Sequence, residues 1–90
     1  MMSSNKKIKV NPNISWVIET KGILVIDKGN SVNTFMSYPK AAVWSVITKH
    51  GINPKSINIL SAVTNMSADD TILFVDSCLR EWKDQRFLNS

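Results

Sequence analysis

The sequence predicts an α+β domain in which a three-stranded antiparallel meander is followed by three helices, in a winged helix-turn-helix-like arrangement. Three observations lead to this fold class. With 90 residues, of which 43% are hydrophobic and 20% charged, the chain has the size and composition of one globular domain. Between residues 14 and 36 the apolar residues form short runs separated by turn residues, which is typical of strands. After Pro39 they recur every three or four residues, which is typical of helices.

The three strands are predicted from β-branched and aromatic residues and from the turns between them. Residues 14–20 form the first strand, and Lys21-Gly22 supplies the first turn. Residues 23–26 are a continuous apolar run that ends at Asp27-Lys28-Gly29-Asn30, where the last two residues tolerate a positive φ. Residues 32–36 form the third strand. Because tight turns join antiparallel neighbours, we expect a meander.

Capping residues predict where the three helices begin. Pro39 suits the first turn of the first helix, and Asn53-Pro54 starts the second. Ser67 is the predicted N-cap of the third helix, whose positive end suits Asp69-Asp70. After the third helix, Phe87-Leu88 are expected to fold back over the core. The apolar stripes of the three helices are Ala41, Val43, Trp44 and Ile47; Ile57, Leu60 and Val63; and Ile72, Val75, Leu79 and Trp82.

The positive charge of the chain is concentrated at its start. The net charge is +4, but Lys6, Lys7 and Lys9 lie in a polar segment, and the remaining eight basic residues face seven acidic ones. We expect residues 1–12 to form a flexible arm and residues 13–90 to form the folded domain. Because the folded part is nearly neutral, its charge gives little reason to expect a nucleic-acid partner.

Few side chains in the sequence carry reactive chemistry. The one histidine, His50, stands at a predicted helix end, and the one cysteine, Cys78, lies near the apolar face of the third helix as buried filler. Asp69 and Asp70 lack the further oxygen ligands that a metal site needs. We therefore expect no catalytic residue, no metal and no cofactor. A single cysteine and the lack of an apolar run of about 18 residues lead us to expect a cytoplasmic protein that contacts no membrane.

The last two predicted helices resemble a helix-turn-helix, so a small winged-helix DNA-binding or transcriptional adaptor protein is the alternative function. In such proteins the second helix of the motif enters the major groove with its N-terminal end. Here Asp69 and Asp70 stand at that end, and from Ser67 to Arg86 five acidic side chains outnumber three basic ones. The charge of this helix therefore opposes binding to phosphates. A third option is a structural subunit that docks on a partner enzyme.

The third strand offers a place for an extended peptide. A three-stranded meander has two open edges, and residues 32–36 contain no lysine or proline that would block pairing. If this strand is an edge, a peptide can add to it by β-augmentation, and Val32→Pro would remove one pairing donor. Leu73 and Phe74 suit either a groove beside this strand or a wider core contact. Near them, off the main apolar face of the third helix, are Asp76, Ser77 and Arg80.

Three segments carry a resemblance to a known family. They are the hairpin over residues 22–29, the pair of segments Phe35-Met36-Ser37 and Ala41-Ala42-Val43-Trp44, and the closing helix over residues 74–79 followed by Phe87-Leu88. Over nearly the whole chain from Trp16 to Leu88, their order and spacing resemble the PqqD-like domains, the precursor-peptide recognition elements of ribosomally made, modified peptides. Departures from the family pattern are Ser37, Phe74 and Arg86, where Asn, Asp and Gly are usual.

The resemblance implies a stand-alone adaptor that binds the leader of a ribosomal precursor peptide as an added strand. It would present the peptide to a separate modifying enzyme, such as a radical S-adenosylmethionine protein, a cyclase or a protease. Such an adaptor would use no cofactor and would be a monomer or a homodimer. Carried over by position, the peptide-binding residues are Val32, Asn33, Thr34, Phe35 and Met36 on the strand and Leu73, Phe74, Asp76, Ser77 and Arg80 on the helix.

Overall fold

The computed structural model describes residues 7–89 and shows three strands followed by three helices. Neighbouring strands are antiparallel, in the order β1-β2-β3, so the first and third strands form the two edges of the sheet. The predicted α+β fold is confirmed. The elements are β1 (Ile14–Glu19), β2 (Gly22–Asp27), β3 (Val32–Ser37), α1 (Lys40–His50), α2 (Pro54–Thr64) and α3 (Ala68–Asp84).

The loop between β2 and β3 is organised by one buried carboxylate. Asp27 is 7% exposed and accepts hydrogen bonds from the backbone N–H groups of Gly29 at 3.0 Å and Asn30 at 3.2 Å. The side-chain amide of Asn30 donates a further bond at 2.9 Å. The positive φ of this loop, 56°, occurs at Ser31, whereas the sequence pointed to Gly29 and Asn30. The Asp27 bonds hold the start of the loop, so the reversal is completed one residue later than expected.

Side chains cap two of the three helices as the sequence predicts. The Asn53 side chain accepts a hydrogen bond from the N–H of Ser56 at 3.0 Å, and Ser67 Oγ accepts one from the N–H of Asp70 at 3.1 Å. Pro39 lies at the N-cap position of α1, one residue before the expected first turn. Between residues 7 and 89, no helix has both the length and the apolar composition needed to cross a membrane.

Trp44 of α1 lies at the centre of the core, between the sheet and the other helices. Its fully buried ring meets three aromatic rings edge-on, with centroid distances of 5.3 Å to Trp16, 5.0 Å to Trp82 and 6.2 Å to Phe87. The helices therefore cover one face of the sheet. The buried core also contains Ile14, Ile23, Val25, Met36, Ala41, Val43, Ile47, Ile57, Leu60, Val75 and Cys78.

Two residues of the predicted helical stripes lie outside this core. Val63 is 64% exposed and Ile72 is 38% exposed, although both have the spacing of buried positions. In α3 the buried face instead includes Thr71 and Cys78. Since neighbouring helical residues point about 100° apart, a face that buries Thr71 turns Ile72 towards solvent. The expected burial of Cys78 is confirmed.

The segment before β1 pairs with the segment after α3. Val10 forms an antiparallel bridge with Leu88, and the N–H of Asn11 donates to the carbonyl of Phe87 at 2.9 Å. Phe87 and Leu88 are buried, as predicted. These contacts join Val10 and Asn11, which lie within the segment expected to form a flexible arm, to the segment after α3. Residues 1–6 of that arm lie outside the described residues.

Candidate functional site: the open edge of β3 and its groove

The length of the first turn determines which backbone groups of β3 face outward. Only Thr20 and Lys21 separate β1 from β2, and Glu19 pairs with Gly22 across this two-residue loop. The residues that flank such a loop exchange hydrogen bonds, so the backbone of Gly22 points towards β1. The backbone N–H and C=O groups of successive residues point to opposite sides of a strand, so those of Ile23 point towards β3.

The register between β2 and β3 then determines which backbone groups of β3 point out of the sheet. Ile23 pairs with Met36, so Met36 directs its backbone N–H and C=O towards β2. A Cβ atom built on Gly22 would collide with the carbonyl oxygen of Met36, which independently places that oxygen on the β2 side. The backbone groups that point away from the sheet are therefore those of Asn33, Phe35 and Ser37. Within residues 7–89, no strand pairs with this outer edge.

Three of the five strand residues predicted to pair with a peptide direct their backbone groups inward. Val32, Thr34 and Met36 lie opposite Asp27, Val25 and Ile23 and bond to β2. The Val32 N–H is therefore not available to a peptide. Asn33 and Phe35 have outward groups, and Ser37 adds a third position that the sequence did not suggest.

A cavity of about 310 Å³ lies between this edge and α3. Its apolar wall includes Met36 from the sheet, Phe74 and Trp82 from α3, and Phe87 from the C-terminal segment. The open edge of β3 therefore faces an apolar groove rather than bulk solvent alone. The complete lining is Thr34, Phe35, Met36, Ser37, Tyr38, Pro39, Lys40, Phe74, Glu81, Trp82, Gln85 and Phe87.

One ion pair spans the polar part of this groove. Lys40 Nζ, at the start of α1, lies 2.7 Å and 2.8 Å from the two carboxylate oxygens of Glu81 on α3. Both side chains remain about 40% exposed, at 41% and 43%, so peptide groups can reach them. The pair joins two helices across the cavity and leaves little net charge there.

Cys78 is buried behind the groove and is poorly suited to nucleophilic chemistry. Burial raises the pKa of its thiol from 9.0 to about 11, while Lys40 acts to lower that pKa and Glu81 to raise it. The thiol is therefore protonated at neutral pH, and a thiol rather than a thiolate is a weak nucleophile. In the described part of the chain, no group of three or more His, Cys, Asp or Glu residues is arranged to hold a metal ion.

Of the five helix residues predicted from sequence, only Phe74 lines the cavity. Leu73 is 68% exposed, and Arg80 and Asp76 form an exposed ion pair with an N–O distance of 2.9 Å. Relative to Phe74, these three side chains are rotated by about 100° or more around the helix, and that of Ser77 by about 60°. Leu73, Asp76, Ser77 and Arg80 are all exposed, away from the cavity wall.

The sequence did not suggest Glu81 of α3 or Gln85 at its C-cap as lining residues, and it predicted Trp82 only as a core residue. Glu81 and Gln85 lie seven and eleven positions after Phe74, which returns the helix to nearly the same direction. This spacing was available in the sequence. Tyr38 and Lys40 were missed for a different reason, because the connection from β3 to α1 brings them to the groove and no helical period links them to it.

The first turn of α3 has the charge that the sequence predicts. Asp69 and Asp70 are exposed at the helix start, where a helix-turn-helix protein would approach DNA. Two carboxylates there oppose contact with phosphates, so the DNA-binding alternative gains no support from the structure.

The order β-β-β-α-α-α, with an open β3 edge beside α3, defines a winged helix-turn-helix-like domain. Among solved structures, the chain is similar to TbiB1, determined in complex with the TbiA(beta) leader peptide. The TM-score is 0.78, the sequence identity is 11%, and the match covers 91% of this chain and 95% of TbiB1. This similarity confirms the fold expected from the resemblance to PqqD-like domains. No protein-family model and no curated protein matches the sequence.

Proposed function

We propose that this chain is a stand-alone adaptor that captures the leader of a ribosomal precursor peptide by strand addition and presents it to a modifying enzyme. The observation that carries this proposal is the outward-facing backbone of Asn33, Phe35 and Ser37 beside the apolar groove. An extended peptide would complete these hydrogen bonds and place alternate side chains in the cavity. TbiB1, which has the same fold, was solved with a leader peptide, and this supports the proposal.

Binding in this way raises the local concentration of the peptide at an enzyme. A short flexible tether between the bound leader and the rest of the precursor gives an effective concentration on the order of mM. The partner would be a radical S-adenosylmethionine protein, a cyclase or a protease. In this role the adaptor would perform no chemical step itself, and its one cysteine is buried, with a pKa raised to about 11. We place it in the cytosol, where a free cysteine stays reduced.

A titration with the precursor peptide encoded beside the gene tests the proposal. We expect saturable one-to-one binding in calorimetry, retained by the isolated leader and lost by the core segment alone. In heteronuclear NMR spectra, the amides of Asn33, Phe35 and Ser37 should shift more than those of Val32 and Thr34. Binding by the core segment alone would refute the proposal. So would specific duplex DNA binding with a steep salt dependence, which would favour the DNA-binding alternative.

A further inference from the structure

The face of the sheet opposite the helices carries an apolar row. Val17, Leu24 and Phe35 lie directly across from one another on the three strands. Their neighbours Ile23 and Met36 are buried on the helix side, so the row projects to the other side. Val17 is 48% exposed and Phe35 is 51% exposed. The row ends at the open edge of β3.

Phe35 is held in place at this end of the row. A Cβ atom added to Gly22 would lie 2.8 Å from Cζ of Phe35, so the ring rests over the glycine, which is itself buried. Only glycine leaves room for the ring at this point. The ring therefore has a defined position against the sheet, while about half of its surface remains exposed.

Strand addition at the outward backbone groups fixes where the side chains of the peptide go. A peptide residue that exchanges hydrogen bonds with Phe35 projects its side chain on the same face as Phe35, with the two Cβ atoms about 5 Å apart. The residues before and after it project to the opposite face, beside Thr34 and Met36, and enter the cavity. The bound peptide therefore meets apolar protein surface on both of its faces.

We infer that this domain selects extended peptides with adjacent apolar residues, one in the cavity and the next beside Phe35. This inference rests on the proposed function and specifies its ligand. A peptide with apolar residues only at alternate positions would fill the cavity but leave Phe35 exposed. An apolar residue opposite Phe35 extends the row by one strand and covers the ring. Phe35 is among the residues that line the cavity, but its side chain projects from the opposite face of the sheet, so it is a specificity-determining residue that acts from that face.

A display library of random dodecapeptides, selected on the immobilised wild-type domain, tests the inference. The enriched peptides should share two adjacent apolar residues. A synthetic enriched peptide should bind Phe35→Thr about two- to fivefold more weakly than wild type in fluorescence anisotropy, the scale of one cross-strand aromatic contact. Val17→Thr is the matched control, because Val17 is similarly exposed in the same row but lies two strands, about 10 Å, from β3. Its affinity should equal that of wild type.

The outcomes separate the inference from the proposed function. Enriched peptides with a strictly alternating pattern, bound equally by wild type and Phe35→Thr, would overturn the inference and leave strand addition intact. Failure to enrich any peptide, or binding that ignores a proline placed at Asn33, would overturn both. Circular dichroism of each variant shows whether a loss of affinity comes from a loss of folding.

Discussion

Asn33→Pro should abolish most peptide binding while leaving the domain folded. The Asn33 N–H points away from the sheet, so proline removes a donor that makes no bond within the sheet. We expect the free energy of unfolding to change by about 1 kcal/mol or less. A bound peptide would lose one hydrogen bond, worth about 1 kcal/mol, and leave its own carbonyl buried without a donor, at a cost of about 1–2 kcal/mol more. Together these predict an affinity loss of roughly 30- to 150-fold.

Val32→Pro is the matched variant, and we expect the opposite result from that of Asn33→Pro. It should lower the stability of the domain and not remove a hydrogen bond to the peptide. The Val32 N–H faces Asp27 on β2, so proline there removes a bond within the sheet. A residue before proline prefers extended backbone, whereas Ser31 has a φ of 56°. We expect a loss of about 2–3 kcal/mol in unfolding free energy, measured by urea denaturation.

Calorimetry on the folded fraction of both variants provides the comparison, with Asn33→Ala as a control that keeps the backbone N–H. Wild-type affinity for Asn33→Pro would show that the outward groups do not pair with the peptide. Severe destabilisation of Asn33→Pro together with a stable Val32→Pro would show that the alternation of backbone groups along β3 has the opposite phase.

Three further predictions concern the groove. Phe74→Ala should weaken peptide binding about tenfold or more in calorimetry, and Leu73→Ala should leave it unchanged, because of these two residues only Phe74 lines the cavity. Equal effects of the two substitutions would contradict the assignment of the helix face that borders the groove. The free energy of unfolding should fall by about 2–3 kcal/mol between pH 9 and pH 11, because the pKa of the Cys78 thiol is 9.0 in the unfolded chain and about 11 in the folded protein. A Cys78→Ala variant with the same dependence of stability on pH would contradict this. Glu81→Gln should cost less than about 1 kcal/mol in thermal unfolding, with a smaller difference at high salt, because the ion pair is about 40% exposed (41% and 43%).

The strands and helix starts could be predicted because their signals are local. Asn53 and Ser67 cap their helices through bonds to residues three positions later, so neighbouring sequence contains both partners. The positive φ at Ser31 was not predictable, since it depends on how the Asp27 carboxylate binds the loop in three dimensions. Burial of Thr71 in place of Ile72 likewise depends on how α3 is rotated against its neighbours.

The sequence indicated an open edge at β3 but not which backbone groups of that strand point outward. The sequence placed the first turn at Lys21-Gly22, one residue later than the observed Thr20-Lys21 loop. A shift of one residue reverses which backbone groups point outward on every later strand. From sequence, all of residues 32–36 were expected to pair with a peptide, and Val32 was chosen for the proline substitution without regard to this alternation. Propensities locate a turn only to within a residue or two, so sequence alone could predict an open edge but not its pairing positions.

The cavity also bears on whether the open edge pairs with a second copy of this chain. In a β3–β3 dimer, the partner strand would present its own Val32, Thr34 and Met36 on the side of the groove. Met36 is 5% exposed because it packs in the core of its own subunit, so it cannot also fill the cavity of a neighbour. Self-pairing would complete the hydrogen bonds, but Val32 is the one apolar side chain of these three that is exposed, which is too little to fill a cavity of about 310 Å³ in each copy. A leader peptide has no core of its own and can supply both backbone bonds and side chains.

We therefore expect the free domain to be a monomer at micromolar concentrations and to form a one-to-one complex with a peptide ligand. Sedimentation equilibrium measures both states directly. The Asn33→Pro variant is the control, since it blocks pairing at the edge while retaining the fold. A wild-type dimer that Asn33→Pro dissociates would show that backbone pairing alone is sufficient for association. In that case the unfilled groove would not discriminate against a second copy, and peptide capture would have to compete with dimerisation.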